Sequence, residues 1–89
     1  MIQREIRIIN KLGLHARAAA KFVSCATAYS SQVQIGPGEE LVNGKSIMSV
    51  MMLAVGKGSV LSLRVEGADE EEALAALVAL IENRFDEDR

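Results

Sequence analysis

His15 is the only histidine in the chain, and it stands in Gly13-Leu14-His15-Ala16-Arg17. A neutral imidazole nitrogen is a nucleophile near neutral pH, so a histidine can take up a phosphoryl group. The phosphoramidate formed is labile and can be passed on. Position adds to residue type. A strand pattern precedes the pentapeptide and a helix pattern follows, so His15 stands at a helix start. Backbone N–H groups there lack partners and carry partial positive charge. The amides of Ala16 and Arg17 can hold phosphoryl oxygens, and the Arg17 guanidinium can add charge-assisted bonds. The plainer reading is a surface or capping histidine without a further role.

Gly44-Lys45-Ser46 marks a second helix start. Ser46 fits an N-cap, its hydroxyl accepting a backbone N–H. A phosphate added at that position is tolerated by the helix terminus, which makes Ser46 a candidate regulatory site. The triplet is not a P-loop, because the pattern needs glycine where Glu39 stands. Ile47, Met48, Met51 and Met52 follow. Helical spacing turns Ile47 and Met51 one way and rotates Met48 and Met52 outward, where adaptable methionines suit several partners.

These two starts need a scaffold. Ile2, Ile6 and Ile8 share one parity of a strand over residues 2–9, with Arg4 the exception. Ala19, Phe22, Val23 and Ala26 have helical spacing, in a helix running to about Tyr29. Val33 and Ile35 mark a second strand, Gly36-Pro37-Gly38 a turn, and Leu41-Val42 a short third strand. Ile47, Val50, Met51 and Ala54 predict a short helix ended by Gly56 and Gly58. Leu61, Leu63 and Val65 alternate in a fourth strand. Asp69 and Glu72 are spaced as a capping box for a last helix. Leu74, Leu77, Val78, Ile81 and Phe85 form its buried stripe, and Asp86-Glu87-Asp88-Arg89 frays. The order βαββαβα, with one apolar parity per strand, predicts an α+β fold. Its four-stranded antiparallel sheet carries three helices on one face.

Composition narrows the function classes. The 89 residues predict a single domain over positions 1–89, and 49% hydrophobic residues exclude a disordered tail. Two Phe, one Tyr and no Trp leave no base-stacking platform, so no nucleic-acid partner is expected. Cys25 is the sole cysteine, which forbids an internal disulfide and, with one histidine, a typical zinc site. No metal is expected. No apolar run reaches membrane-span length and the first residues carry no apolar leader segment, so membrane insertion is not expected and a cytoplasmic location is. Residues 1–65 hold eight Lys/Arg against three Asp/Glu, and residues 66–89 hold two against nine. Lys11, Arg17, Lys21 and Lys45 flank the helix starts, a basic face suited to an acidic partner or a phosphate. With the core assigned, no large apolar stripe is expected to stay exposed, and the default is a monomer.

Gly13-Leu14-His15-Ala16-Arg17-Ala18-Ala19 and Val42-Asn43-Gly44-Lys45-Ser46-Ile47-Met48 together resemble the signatures of the HPr family. These are histidine-containing phosphocarriers of the phosphoenolpyruvate:sugar phosphotransferase system. The resemblance spans essentially the whole chain and implies an open-faced β-sandwich. It implies a phosphocarrier rather than an enzyme with turnover of its own. His15 would accept phosphate at Nδ1 from phospho-enzyme I and donate it to an enzyme IIA domain. Arg17 would neutralise the phosphoryl group. Ser46 would match the position modified by the HPr kinase/phosphorylase. Ala20 and Lys21 on the first helix, with Lys45, Ile47, Met48 and Met51, would match the docking surface. No cofactor is implied, since Mg²⁺ and phosphoenolpyruvate are used by enzyme I. A nitrogen-branch relative with a regulatory output is the alternative. The family's usual proline after the arginine is here Ala18, which permits the same first turn without presetting it.

Overall fold

A computed structural model of the chain describes residues 1–87. The four alternating segments pair into one antiparallel sheet of β1 (Ile2–Arg7), β2 (Gln32–Gly36), β3 (Val42–Asn43) and β4 (Val60–Glu66). Their spatial order is β1-β4-β2-β3. β4 is central, with Leu61 opposite Ile6 on one side and Leu63 opposite Ile35 on the other. These residues, with Val33 and Val65, are buried on one face, while Gln3, Glu5 and Arg7 stay exposed. A period of two therefore produces a sheet with one wet face.

Three helices cover the apolar face: α1 (Ala16–Thr27), α2 (Ile47–Met51) and α3 (Glu70–Glu82). Ala18, Ala19, Phe22, Val23 and Ala26 of α1 and Ala73, Leu77, Val78 and Ile81 of α3 fill the core. From α2 only Val50 joins them. The predicted element order and α+β architecture are the observed ones.

Three local expectations are corrected. The second helix does not run to Ala54 or end on glycine. It stops at Met51, its last turn tightens through Leu53 N–H to Val50 O and Ala54 N–H to Met51 O, and Ala54 itself takes φ 51°. The capping box at α3 is absent. The Asp69 carboxylate instead accepts the Ser30 and Ser31 amides, each at 2.9 Å, and the Ser31 hydroxyl. A tertiary contact to the end of the α1–β2 connection has taken the oxygens that a local cap needs. Glu70, rather than Glu72, reaches back, accepting the Gly67 N–H at 3.1 Å.

The third correction is the C-terminus. Phe85 is buried, but not on the α3 stripe, because α3 ends at Glu82. Arg84, Phe85 and Asp86 form a 3-10 turn with φ of 57°, 52° and 64°. Side chains rarely occupy that region, at a cost of about 1–2 kcal/mol per residue. Burial of the Phe85 ring offsets roughly 1.5–3 kcal/mol of it. The turn sends the chain back toward α1. Asp86 accepts from Lys21 at 3.0 Å and Asn83 at 2.7 Å, and Glu87 contacts Asn10 and His15. Asp86 and Glu87 are thus bound rather than frayed, and Asp88 and Arg89 lie outside the described residues.

The Ser31 hydroxyl, with the Ser30 amide, pulls the Asp69 carboxyl from 3.8 down to about 2. A carboxyl whose native value is depressed stabilises the fold above its ordinary value and loses that contribution as pH falls through the native one. Asp69→Asn is expected to melt at a lower temperature than the native chain at neutral pH. The difference should shrink as pH falls from 3.8 toward about 2. Thermal unfolding by circular dichroism checks this, and a gap independent of pH would reject the linkage.

Candidate functional site

The loop before α1 is shaped by Gly13. Its φ is +69°, and a Cβ there would lie 2.5 Å from the Val55 carbonyl oxygen and 2.6 Å from the Gly56 Cα. Only glycine allows that approach without displacement. The approach lets Leu14 donate its N–H to Val55 O at 3.0 Å and bury its side chain. His15 then takes an extended conformation, φ −77° and ψ 178°, as the N-cap of α1.

At that cap the ring replaces the usual hydroxyl or carboxylate. His15 Nδ1 accepts the Arg17 backbone N–H at 3.3 Å. Nε2 contacts Glu87 Oε2. The ring is partly open, with 27% of its side-chain surface exposed. Lys11, Leu12, Arg17, Phe85, Asp86 and Glu87 join it around an open cleft of about 630 Å³. The Arg17 side chain is exposed and makes no ion pair among the described residues. The cleft therefore holds two cations, Lys11 and Arg17, and two carboxylates, of which Asp86 is paired with Lys21 and Glu87 with the His15 ring. An anionic group would be met there by the start of α1 and the exposed Arg17 guanidinium. The His15 hydrogen bond holds the Glu87 carboxyl below the usual carboxylate range, against its burial, with the Asn10 amide assisting.

The second predicted site also forms a cap. Gly44 donates its N–H to Val33 O at 2.7 Å, and a Cβ there would meet Val33 Cγ1 at 2.6 Å. Ser46 Oγ accepts the Ser49 N–H at 3.3 Å, so its hydroxyl is the N-cap of α2. Lys45 Nζ donates to Tyr29 O at 2.7 Å and serves a carbonyl left beyond the end of α1. Lys21 is held by Asp86. Both cations thus make internal contacts as well as standing near the surface proposed for docking. Ala20 on α1 is exposed. Met48 and Met52 are exposed by 68% and 78%, as their spacing predicts, but Ile47 and Met51 are open too, by 45% and 38%, so an apolar face remains at α2 where no large exposed stripe was expected. Five residues of helix bury one side chain, Val50, and leave the others without a core to enter.

Glu87 and Asn10 escaped the reading of the sequence. Glu87 sits in an acidic tail with no periodicity, and 72 positions separate it from His15. Asn10 reads as an ordinary loop residue. Among the described residues no cluster of three or more His, Cys, Asp or Glu can hold a metal ion, and no helix is long and apolar enough to cross a membrane.

An open-faced α+β sandwich with a histidine capping its first helix defines the class, that of the small histidine phosphocarriers. The family model described as the PTS HPr component phosphorylation site matches residues 2–83. Phosphocarrier protein HPr of Pseudomonas aeruginosa is 67% identical over 84 residues, 93% of either chain. A crystal structure of HPr-C-His from Thermoanaerobacter tengcongensis superposes with a TM-score of 0.94 at 50% identity, covering 100% of both chains. A crystal structure of an HPr dimer from the same organism gives 0.77 at 52% identity, covering 98% of this chain and 100% of that one. The chain belongs to the HPr family: it is a phosphocarrier of the phosphotransferase system and not an enzyme.

Gly13→Ala is expected to destabilise the fold by about 1–3 kcal/mol, because it combines a positive φ with a backbone clash. Chemical denaturation checks the value. Loss of the Leu14 amide's protection from hydrogen exchange should accompany it.

Proposed function

We propose that His15 carries the phosphoryl group on Nδ1, taking it from phospho-enzyme I and handing it to an enzyme IIA domain in phosphoenolpyruvate-dependent sugar transport. The observation that supports this most directly is the direction of Nδ1. It faces the amide of Arg17 at the start of α1. Once a phosphoryl group bonds to Nδ1, that amide is free to donate to a phosphoryl oxygen instead. The exposed Arg17 guanidinium then balances the added charge.

The exposed face of α2 supports docking. Ile47, Met48 and Met51, with Ala20 and the nearby Lys21 and Lys45, give an apolar patch beside positive charge. Enzyme I and the IIA domains cover it in turn, the carrier acts as a monomer, and the exchange takes place in the cytoplasm. Ser46 is the regulatory position, open to a serine kinase of the HPr kinase/phosphorylase type. No cofactor is required, because the phosphoryl group is held covalently.

His15→Ala is expected to abolish acceptance of phosphate from enzyme I and phosphoenolpyruvate while retaining the native amide spectrum. Acid-labile phosphate is followed by mass spectrometry and ³¹P NMR, and transfer by this variant would overturn the assignment. Ser46→Asp is expected to slow acceptance at low salt, by opposing an acidic partner, with the defect shrinking as salt screens the charge. A defect insensitive to salt would remove the electrostatic account.

A further inference from the structure

We propose that Glu87 is a positioning residue for His15, holding the ring with its proton on Nε2 and its lone pair on Nδ1. The proposal rests on the phosphocarrier role of His15. A carboxylate can only accept, so the Nε2 contact with Glu87 Oε2 puts the hydrogen on Nε2. On the other side of the ring, Nδ1 accepts the Arg17 amide at 3.3 Å, so the lone pair is there. The two contacts specify one tautomer from opposite directions.

Glu87 is itself held. Asn10 is fully buried, and its Nδ2 donates to Glu87 Oε2 at 2.9 Å and to Gly13 O at 2.8 Å. Its Oδ1 has no partner among the described residues. Turning the amide over would set that oxygen against a carboxylate and a carbonyl, so the two donors fix its direction. One side chain thereby ties the carboxylate to the loop that presents His15. Buried Phe85 and the Asp86–Lys21 ion pair at 3.0 Å anchor the preceding turn.

In the transfer step the Nδ1 lone pair forms the N–P bond. The bond from phosphorus to the donor breaks, and its electron pair leaves with the donor. The ring gains positive charge while Nε2 keeps its hydrogen. The Glu87 carboxylate on that hydrogen offsets the charge, as the aspartate of a Ser-His-Asp triad does for its imidazolium. Passing the group on reverses these changes, and no proton has to leave the site.

The native chain, Glu87→Leu and Glu87→Gln are compared by long-range ¹H–¹⁵N correlation of the ring at mildly alkaline pH. Their phosphorylation rates are measured with enzyme I and phosphoenolpyruvate. The native ring should show the Nε2–H form. Glu87→Leu should populate both tautomers and slow transfer on the order of tenfold, as loss of a charge-assisted bond implies. Glu87→Gln, which keeps an acceptor oxygen, should restore the tautomer and recover part of the rate. A native tautomer in Glu87→Leu, an unchanged or faster rate, or a glutamine variant that fails to restore the tautomer would overturn the positioning role. A native chain that takes no phosphoryl group would instead overturn the role of His15 on which it rests.

Discussion

One backbone amide, the N–H of Arg17, points at a ring nitrogen, and the rest of the molecule keeps it there. Helix starts leave such amides without carbonyl partners. A serine or aspartate at the cap would satisfy one and stop there. A histidine satisfies it with a nitrogen that can also form a covalent bond. For that geometry to persist, α1 must be fixed in direction and its first residue fixed in conformation. The buried stripe from Ala18 to Ala26 does the first by locking α1 onto the sheet. Gly13 and the Leu14–Val55 hydrogen bond do the second by pinning the loop to the chain after α2.

The same device recurs at α2 on a smaller scale. A glycine comes close to a neighbouring strand, a capping side chain follows, and the helix begins. The two helices differ in what they bury. α1 commits a full stripe to the core, so its start is rigid. α2 commits one residue and leaves its apolar side chains to solvent. That division suits a carrier: a fixed reacting atom beside a surface that can adapt to different partners.

Charge is divided along the chain in a way that only folding explains. The acidic last quarter looks like solvation when read in a line. In the structure its turn at Arg84–Asp86 folds back, and Asp86 and Glu87 meet Lys21 and His15 on the basic part. The left-handed residues of that turn carry no glycine, so nothing in their types announces the reversal. The Asp69 cap was misread for a related reason. Spacing identifies a residue able to cap, but the carboxylate went to Ser30 and Ser31, which lie far away in sequence.

The sequence by itself determined the four strands, the three helices, their order and the position of the histidine at a helix start. Those follow from periods of two and of about 3.6 residues and from local turn chemistry, all of which operate within a few positions. The two helix-start motifs also sufficed to indicate the family. Tertiary structure alone decided where α2 stops, which oxygens receive the Asp69 contacts, that Ile47 and Met51 stay open beside the outward-turned Met48, and that Glu87 contacts the His15 ring. Each of these depends on competition between partners distant in sequence, and a pattern along the chain carries no record of which partner wins.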